Sequence, residues 1–424
     1  MPGLAEIAAP ESRSSKSTSS KAKVPRIAVC IVVENLPVPL DRRVWSEARA
    51  LHEAGYEVSV ICPKGKTRYS AGYEFLDGIH IYRHRTWEAS SAAGYLLEYG
   101  IAWCAECVLA LRVYAKTKYR ILQGCNPPDN IFLIGLLLRP FGVRYIFDHH
   151  DLTPELFDSK FDRKSKLLAG IVRLVERWSF QTATVSIATN ESFKEIAVAR
   201  GKIAANRVFV VRNCPDANRL RPPVNKPRKS SGNQFQIVYV GFMARQDGLD
   251  LLLESIEYIV NVKQRTDVKV VLVGGGTMLE ELKSISARKG LDAHVTFTGH
   301  VTHDEVVGHL ANSDIGVAPD PKNPMNDHST MIKIFEYMAF GLPVVQFDLK
   351  EGRRSAGPAS LYAKPNDPVD FAERIVQLLD CPELREELGG HGRQRIEQSM
   401  NWETEKAVLL DAYEMALQEK SSSQ

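Results

Sequence analysis

The order of the apolar segments constrains the fold most, because the chain carries one α/β pattern twice. The first copy starts with an apolar run at 26–33, continues with a helical pattern at about 41–54, and ends with a second apolar run, YEVSVIC, at 56–62. Such a strand–helix–strand unit places its strands parallel and adjacent, with a right-handed crossover. A similar pattern starts at Phe235. The sequence therefore predicts two Rossmann-like, doubly wound α/β domains.

Composition sets the predicted domain boundaries. Residues 1–24 are rich in Ser, Lys, Ala and Pro without an apolar core, which is typical of a disordered tail. Residues 216–233 collect Pro, Asn, Lys and Ser, as linkers do. We therefore expect domains at 25–215 and 234–400, and a final amphipathic helix and tail at 401–424 that could cross back to the first domain.

The remaining strands follow from short apolar runs between helical patterns. They are predicted at 79–83, 121–123, 145–148, 185–188 and 208–211 in the first domain, and at 235–240, 268–273, 295–298, 315–318 and 344–347 in the second. Long helices are predicted at 92–115 and 164–182. Two such domains face each other across a cleft at the carboxyl ends of their strands, where open α/β sheets bind ligands.

Charge and cysteine content narrow the possible environments. No apolar run reaches the roughly 20 residues that cross a bilayer, and no secretory signal is visible. The seven cysteines are scattered and odd in number, which favours reduced thiols in the cytoplasm. Residues 25–215 hold 26 Lys/Arg against 19 Asp/Glu, whereas residues 216–424 hold 24 against 30. The basic half is compatible with an anionic membrane surface or with solvated helix faces, and it lacks the aromatic platform of a nucleic-acid binder.

One helical stretch, HSTMIKIFEYMAFGLPVV at 328–345, carries two charges among apolar residues. We expect the helix to be opened by Ser329 and Thr330 and to end at Gly341. At about 100° per residue, Lys333 and Glu336 fall on one narrow stripe. Two interpretations stay open, because buried charges either neutralise each other or meet a ligand.

A nucleoside diphosphate fits the second interpretation. Unpaired N–H groups at the helix start, around 329–331, suit a phosphate, and Lys333 is near. Glu336 lies one turn deeper, where its carboxylate can accept hydrogen bonds from sugar hydroxyls.

Several segments together resemble the family 4 glycosyltransferases, which have the GT-B fold. The segment 319–357 around KIFEYMAFGLPVV resembles their donor-site signature. Further similarity covers most of the chain, in DRRVWSEARALHEAGYEVSVIC, FDHHDLTPELF, VYVGFMARQDGLDLLLESI, VGGGTMLEELKSI and VTFTGHVTHDEV. The resemblance implies a retaining transferase that uses a nucleotide-sugar donor, in surface polysaccharide or other glycan biosynthesis.

The resemblance also implies roles for individual residues. Glu336 corresponds to the glutamate that holds the ribose hydroxyls, and the backbone at His300 and Val301 to the loop that touches the base. The amides of Thr330 and Met331, with Ser329, would face the diphosphate. His150 and Asp151 correspond to the His-Asp pair near the reacting carbon of the donor sugar.

The chain departs from the family pattern at three positions. His328 stands where a second glutamate usually contacts the donor sugar. In the loop after Gly241, Phe242 and Asp247 stand where an Arg and a Lys are usual. Our hypothesis is that Lys333 and Arg245 supply the positive charge for the diphosphate that this loop lacks. No Asp-x-Asp motif follows a strand, so we expect neither a metal nor another cofactor.

The acceptor side is less defined. Arg42 and Arg43 begin a helix at the cleft, and they suit either an acceptor phosphate or salt bridges to Glu47. The stretch 160–178 interleaves basic and apolar residues, which suits either an anionic membrane surface carrying a polyprenyl-linked acceptor or an ordinary packed helix. Two alternatives to a transferase remain, a nucleotide-sugar epimerase of the same fold and an inactive nucleotide-sugar-binding subunit.

Overall fold

The structure is a computed structural model. It describes residues 26–65, 68–85, 92–160, 166–215 and 234–418, with side chains omitted at 92–99 and 158–160. The predicted tail at 1–24 and the predicted linker at 216–233 lie outside the described residues.

Two parallel sheets organise the described chain. The first has the order β3-β4-β2-β1-β5-β6-β7-β8, in which only the edge strand β3 runs antiparallel, and the second has the order β11-β10-β9-β12-β13-β14. The strands are β1 Ala28–Val33, β2 Glu57–Pro63, β3 Tyr73–Leu76, β4 Ile79–His84, β5 Ile121–Cys125, β6 Arg144–His149, β7 Val185–Ala188, β8 Val208–Val210, β9 Phe235–Val240, β10 Val268–Val273, β11 Val295–Gly299, β12 Ile315–Ala318, β13 Val344–Phe347 and β14 Ser360–Ala363.

Helices connect and cover these strands. They are α1 Arg42–Glu53, α2 Ala92–Thr117, α3 Phe132–Leu138, α4 Thr153–Lys160, α5 Lys166–Thr182, α6 Glu191–Ile196, α7 Leu249–Glu257, α8 Leu279–Arg288, α9 His303–Ala311, α10 Ile332–Ala339, α11 Lys350–Ala356, α12 Pro368–Asp380, α13 Pro382–Gln398 and α14 Trp402–Gln418. Strand order reverses between β1 and β5 in the first sheet and between β9 and β12 in the second. Ligands of open α/β sheets bind at such reversals, so both halves direct their binding edges into the cleft.

The predicted architecture is confirmed, including the return of the last helix. Leu409, Ala412, Tyr413 and Ala416 of α14 are buried in the core of the first domain, beside strands β5 to β8. Every predicted strand is present. The edge strands β3 and β14 were missed because at least half of the positions in each are not fully buried, which gives a weak apolar pattern.

Membrane crossing is not supported by the helices that the structure describes. None of them combines the length and the apolar composition that a bilayer span needs.

Candidate functional site

The donor-side helix α10 begins later than the sequence predicted. A 3-10 turn occupies Asn326–His328, Met331 is the N-cap, and α10 starts at Ile332. Ser329 does not cap the helix, because its hydroxyl donates to the carbonyl of Met325 at 2.8 Å. The predicted end is confirmed, since Gly341 adopts a left-handed φ of 67° directly after α10.

A residue of the first domain holds the segment before α10. The carboxamide of Asn190 donates to the carbonyl of His328 at 2.8 Å and to the Thr330 hydroxyl at 3.0 Å. Its oxygen accepts the N–H of Phe193 at 2.8 Å, which caps α6. Met331 offers no side-chain cap to α10, so N–H groups of the first turn remain available to a ligand. The two domains therefore meet at the segment predicted to bind phosphate.

Lys333 pairs with two carboxylates on other elements, not with Glu336. Its Nζ lies 2.8 Å from Asp320 Oδ1 and 3.7 Å from Asp247 Oδ1, and 4.8 Å from the ring centroid of Tyr239. The alternative interpretation, in which Lys333 and Glu336 neutralise each other, is therefore wrong. The hypothesis that Lys333 supplies free charge for a diphosphate also loses support, because its charge is already matched within the protein.

Replacing Lys333 with Met tests this correction. Asp320 is 1% exposed, so the variant leaves a buried carboxylate without its partner. We expect the free energy of unfolding to fall by about 2 kcal/mol, and adding Asp320→Asn to restore part of it. Urea unfolding measures both effects. Loss of nucleotide affinity at unchanged stability would instead support the hypothesis that Lys333 binds the diphosphate.

Glu336 keeps its carboxylate available. It is half-buried, and within the described chain no hydrogen bond or ion pair occupies its side-chain oxygens. Burial raises the pKa of the Glu336 carboxyl, and the charges of Arg42 and Lys333 act in the opposite direction. Arg42 is exposed at the start of α1, so the first domain presents a positive charge towards this carboxylate. The group is suited to accepting hydrogen bonds from a ligand in the cleft.

Glycine-rich loops of the second domain form the wall beside α10. Gly241 follows β9 with a φ of 154° and packs against Gly274, where an added Cβ would lie 2.0 Å from the Gly241 carbonyl oxygen. The exposed His300 reaches over Gly275, where a Cβ would lie 2.6 Å from its Nε2. Val301 packs on the core next to α10. These loops lie at the carboxyl ends of β9 to β11, and contact of His300 and Val301 with a base stays a prediction.

His328 is half-buried, and a turn fixes its ring. Its Nδ1 lies 2.7 Å from the carbonyl oxygen of Pro324, which can only accept, so Nδ1 carries the proton. In the neutral ring, Nε2 is then an acceptor. His328 can therefore offer a hydrogen-bond acceptor where the family glutamate offers a carboxylate.

Arg245 lies apart from these contacts. It is exposed in a 3-10 turn, Arg245–Asp247, and lines a surface cavity with Leu249 of α7 and with Met278 and Glu281 beside α8. Its predicted role at the diphosphate stays a prediction.

The two histidines at the end of β6 have different environments. His149 is buried among Phe147, Phe180 and Phe193, and burial lowers its pKa to about 3, so it is a neutral core residue. The side chain of His150 is 14% exposed, and its Nε2 lies 2.6 Å from Asp148 Oδ2. The carboxylate next to this ring is therefore Asp148, which sequence reasoning missed.

Asp151 follows at the edge of the cleft, where Asn126 fixes its backbone. The Asn126 carboxamide accepts the N–H groups of His150 and Asp151 and donates to the carbonyl of Asp151. The structure thus brings the predicted His-Asp segment to the carboxyl end of β6. Whether Asp151 contacts a donor sugar stays a prediction.

Arg43 is part of the protein interior, so its predicted role in acceptor binding is wrong. Its guanidinium, 7% exposed, lies 2.9 Å from Asp148 Oδ1 and 3.1 Å from Glu47 Oε1. It also donates to the carbonyl of Val211 and to Asn213 Oδ1, each at 2.8 Å. The alternative pairing with Glu47 is confirmed, although both side chains are buried and do not lie on a solvated face.

One group of potential metal ligands occurs among the residues that the structure describes. Atoms of Cys125, Asp148 and His150 lie within 4.8 Å of one another. The Asp148 carboxylate is already bonded to His150 and to the Arg43 guanidinium, and a cation beside that guanidinium would meet like charge. The cluster is better described as an internal polar network, and the expected absence of a metal stays a prediction.

Comparison with known proteins agrees with this geometry. The model "Glycosyl transferase 4-like domain" matches residues 40–214, and the model "Glycosyl transferases group 1" matches residues 234–381. A GDP-mannose-dependent alpha-(1-6)-phosphatidylinositol monomannoside mannosyltransferase of Mycobacterium tuberculosis is 27% identical over 211 residues, which are 46% of this chain and 53% of that protein. The chain thus spans about half the length of that relative.

Solved structures match at the level of the fold. Sucrose-phosphate synthase from Thermosynechococcus elongatus superposes with a TM-score of 0.74 and 19% identity, over 93% of this chain and 99% of that one. HepE of Anabaena, solved with UDP and glucose, gives a TM-score of 0.69 and 13% identity over 92% and 100% of the two chains.

Two Rossmann-like domains that face each other, as the strand order and the superposed structures show, define the GT-B class of proteins. Within that class, the two matched models identify the family. The chain belongs to the family 4-type glycosyltransferases.

Proposed function

We propose that the protein transfers a sugar from a nucleoside-diphosphate sugar to a saccharide or polyprenyl-linked acceptor, with retention of anomeric configuration, in surface glycan biosynthesis. The observation that carries the proposal is the unoccupied, half-buried carboxylate of Glu336 at the cleft, one turn beyond a helix start whose N–H groups are available. A carboxylate suits ribose hydroxyls and a helix start suits a diphosphate. HepE, a structural neighbour, is solved with UDP and glucose, which supports a nucleotide-sugar donor.

The chemistry follows from the charge that develops at the leaving group. When the anomeric C–O bond breaks, negative charge grows on the β-phosphate, and N–H groups at the start of α10 point to where it forms. Among the described residues, the carboxylate bonded to the His150 ring is Asp148, which is also paired with Arg43. We therefore favour attack on the face that the leaving phosphate occupies, with that phosphate accepting the acceptor's proton. Activity that persists after chelation would support the expected independence from metals.

A panel of donors and acceptors tests the function. Incubation with UDP-, GDP- and dTDP-sugars, with and without saccharide and polyprenyl-phosphate acceptors, is followed by mass spectrometry of the products. A transferase yields a glycosylated acceptor and a free nucleoside diphosphate. Conversion of a nucleotide sugar without any acceptor would identify an epimerase. Binding without conversion of any donor would indicate an inactive binding subunit.

The outer face of the first domain supports contact with a membrane. On α5, the side chains of Leu167, Ile171 and Trp178 are 74%, 46% and 46% exposed. The packed-helix interpretation predicted these side chains to be covered, and the described residues leave them open. Lys160, Arg163 and Lys164 of the predicted basic stretch lie outside the described side chains, whereas Lys166, Arg173 and Arg177 belong to α5.

The neighbouring helix extends this face. Leu133, Leu136 and Leu137 of α3, which packs against α5, are also 40–47% exposed, and Phe141 is 63% exposed. Exposed apolar side chains flanked by Lys and Arg are typical of surfaces that lie on anionic lipid. We therefore propose a peripheral location at the cytoplasmic face of the membrane, which would bring a lipid-linked acceptor within reach. The substrate of the mycobacterial relative, a phosphatidylinositol monomannoside, has the same character.

Flotation with vesicles tests this surface. We expect the protein to float with vesicles that contain phosphatidylglycerol, and to remain at the bottom with phosphatidylcholine vesicles. Leu167→Gln combined with Ile171→Gln should reduce the floated fraction several-fold. Each exchange removes apolar area that contact with the membrane would bury. Val262→Gln, at a 63% exposed position of the second domain, is the matched control. Equal flotation of the double variant and the control would contradict the proposal.

A further inference from the structure

A chain of buried polar side chains leads from the C-terminal helix to His150. Tyr413 of α14 donates to Gln123 Oε1 at 2.5 Å, and Gln123 Nε2 donates to Asp148 Oδ2 at 2.9 Å. Asp148 Oδ2 in turn lies 2.6 Å from His150 Nε2. Tyr413, Gln123 and Asp148 are fully buried, whereas His150 reaches the cleft. Burying polar groups is costly unless each is hydrogen-bonded, so a buried polar chain that ends at the cleft needs a reason.

We propose that Asp148 is a positioning residue for the transfer reaction. It holds the His150 ring by Nε2 so that the other ring nitrogen, Nδ1, presents an N–H to a hydroxyl or phosphate oxygen in the cleft. Tyr413 keeps Asp148 in place through Gln123. This inference rests on the proposed function, since it assigns a task to the histidine that faces the transferred sugar.

The local backbone fixes the geometry of the pair. Asp148 lies in β6, His150 directly follows the end of that strand, and their side chains meet at 2.6 Å on one side of it. The N–H of His150 donates to Asn126 Oδ1 at 2.6 Å. Both the main chain and Nε2 are therefore held, which leaves Nδ1 to face the cleft.

The Asp148 carboxylate is charged, and both of its oxygens accept hydrogen bonds. Arg43 Nη2 donates to Asp148 Oδ1 at 2.9 Å, while Gln123 and His150 share Oδ2. Although burial raises the pKa of Asp148, the charges of Arg43 and His150 hold it well below its ordinary value. A charged, immobile acceptor at Nε2 favours the imidazolium form of His150, in which both ring nitrogens are donors.

Glu47, Asp148 and Tyr413 fix the orientation of Gln123. The amide nitrogen of Gln123 faces two carboxylates, since it also donates to Glu47 Oε2 at 2.7 Å. A flipped amide would turn its carbonyl oxygen to both carboxylates and would leave the Tyr413 hydroxyl facing an N–H group. The two acidic side chains therefore select this orientation, and the Tyr413 hydroxyl anchors it by donating to Gln123 Oε1.

The charged groups around the His150 ring come from three elements. Asp148 and the neutral His149 lie on β6, Arg43 and Glu47 on α1, and Cys125 on β5. Burial lowers the pKa of His150, but the charge and hydrogen bond of Asp148 outweigh it, and Arg43 and Glu47 act in opposite directions. The net pKa of His150 is raised.

Nuclear magnetic resonance of the full chain labelled at histidine tests the arrangement without any substrate. The His150 signal is identified by its absence from His150→Gln, and its pKa is read from a pH titration. We expect a wild-type pKa above the ordinary value of about 6.5. Asp148→Asn should lower it by about one unit or more. Tyr413→Phe should lower it by less, because Gln123 still bonds Asp148 but loses its own anchor.

A matched control separates positioning from simple loosening of the core. Tyr145 is a buried tyrosine of β6 whose hydroxyl bonds Ser179 at 3.3 Å and takes no part in the hydrogen bonds from Tyr413 to His150. Tyr145→Phe should therefore leave the His150 pKa unchanged. No shift in Asp148→Asn, or a shift in Tyr145→Phe as large as that in Tyr413→Phe, would overturn the proposal.

Kinetics then test the role in the reaction. With any active donor–acceptor pair, we expect Asp148→Asn and His150→Gln each to lower kcat at least tenfold. Adding Asp148→Asn to His150→Gln should cost no further activity, because the carboxylate acts through the ring. Independent, multiplying losses would overturn the positioning role. If no pair is active, the proposed function fails while the titration still decides whether the arrangement exists.

Discussion

Glu336→Gln is expected to abolish most donor binding while leaving the fold intact. The carboxylate is half-buried and free of partners within the described chain, so its removal relieves desolvation and breaks no internal contact. In the proposed complex it accepts two hydrogen bonds from ribose hydroxyls, each worth about 1.5–3 kcal/mol for a charged acceptor. We therefore expect the Kd for the nucleoside diphosphate to rise on the order of 100-fold or more. Calorimetric titration with the nucleotide identified by the donor panel measures the change.

Stability and a matched variant complete this test. The Tm without ligand should stay the same or rise, because an unpaired and partly desolvated charge is removed. Glu305→Gln serves as the control, since Glu305 lies on α9 of the same domain and its hydrogen bonds within the described chain belong to the capping box with Thr302. Its nucleotide affinity should match that of the wild type. Unchanged affinity in Glu336→Gln would remove the observation on which the proposed function depends.

The sequence predicted the architecture well because parallel strands buried on both faces are continuous apolar runs. The runs at β1, β9 and β10 are six residues each and were identified with their order along the chain. The stripe of Lys333 and Glu336 was also visible, since two charges at i,i+3 interrupt an apolar helix. What the helical period could not show is the partner of Lys333. Asp320 lies in the connection between β12 and α10, whereas Asp247 follows β9, which the sheet order places next to β12.

The polar network around Asp148 is indicated in the sequence, although it was not predicted. Within YIFDHH, an aspartate interrupts a strand that is otherwise apolar, and buried polar residues are the informative exceptions. The predicted site instead contains Asp151, the acid that follows the histidines. The start of α10 was misplaced for a different reason. Ser329 and Thr330 are good capping residues, but a turn at Met325 and a contact from Asn190 in the other domain engage their hydroxyls.

Arg43→Met is expected to destabilise the first domain strongly. The variant removes the guanidinium that pairs with both Asp148 and Glu47, two carboxylates that are fully buried. Removing one partner from a buried ion pair typically costs about 3–5 kcal/mol. For a domain of this size the Tm should fall by roughly 10 °C. Thermal unfolding followed by circular dichroism measures the shift.

The neighbouring arginine provides the control. Arg42 precedes Arg43 in α1 but is exposed, so Arg42→Met should change the free energy of unfolding by less than about 0.5 kcal/mol. Adding Glu47→Gln to Arg43→Met should recover part of the loss, because one of the two uncompensated carboxylates disappears. If Arg43 instead bound an acceptor phosphate, its replacement would raise the acceptor KM at unchanged stability. Equal Tm values for the two arginine variants would show that the buried contacts of Arg43 contribute little to stability. They would favour a role of Arg43 in acceptor binding.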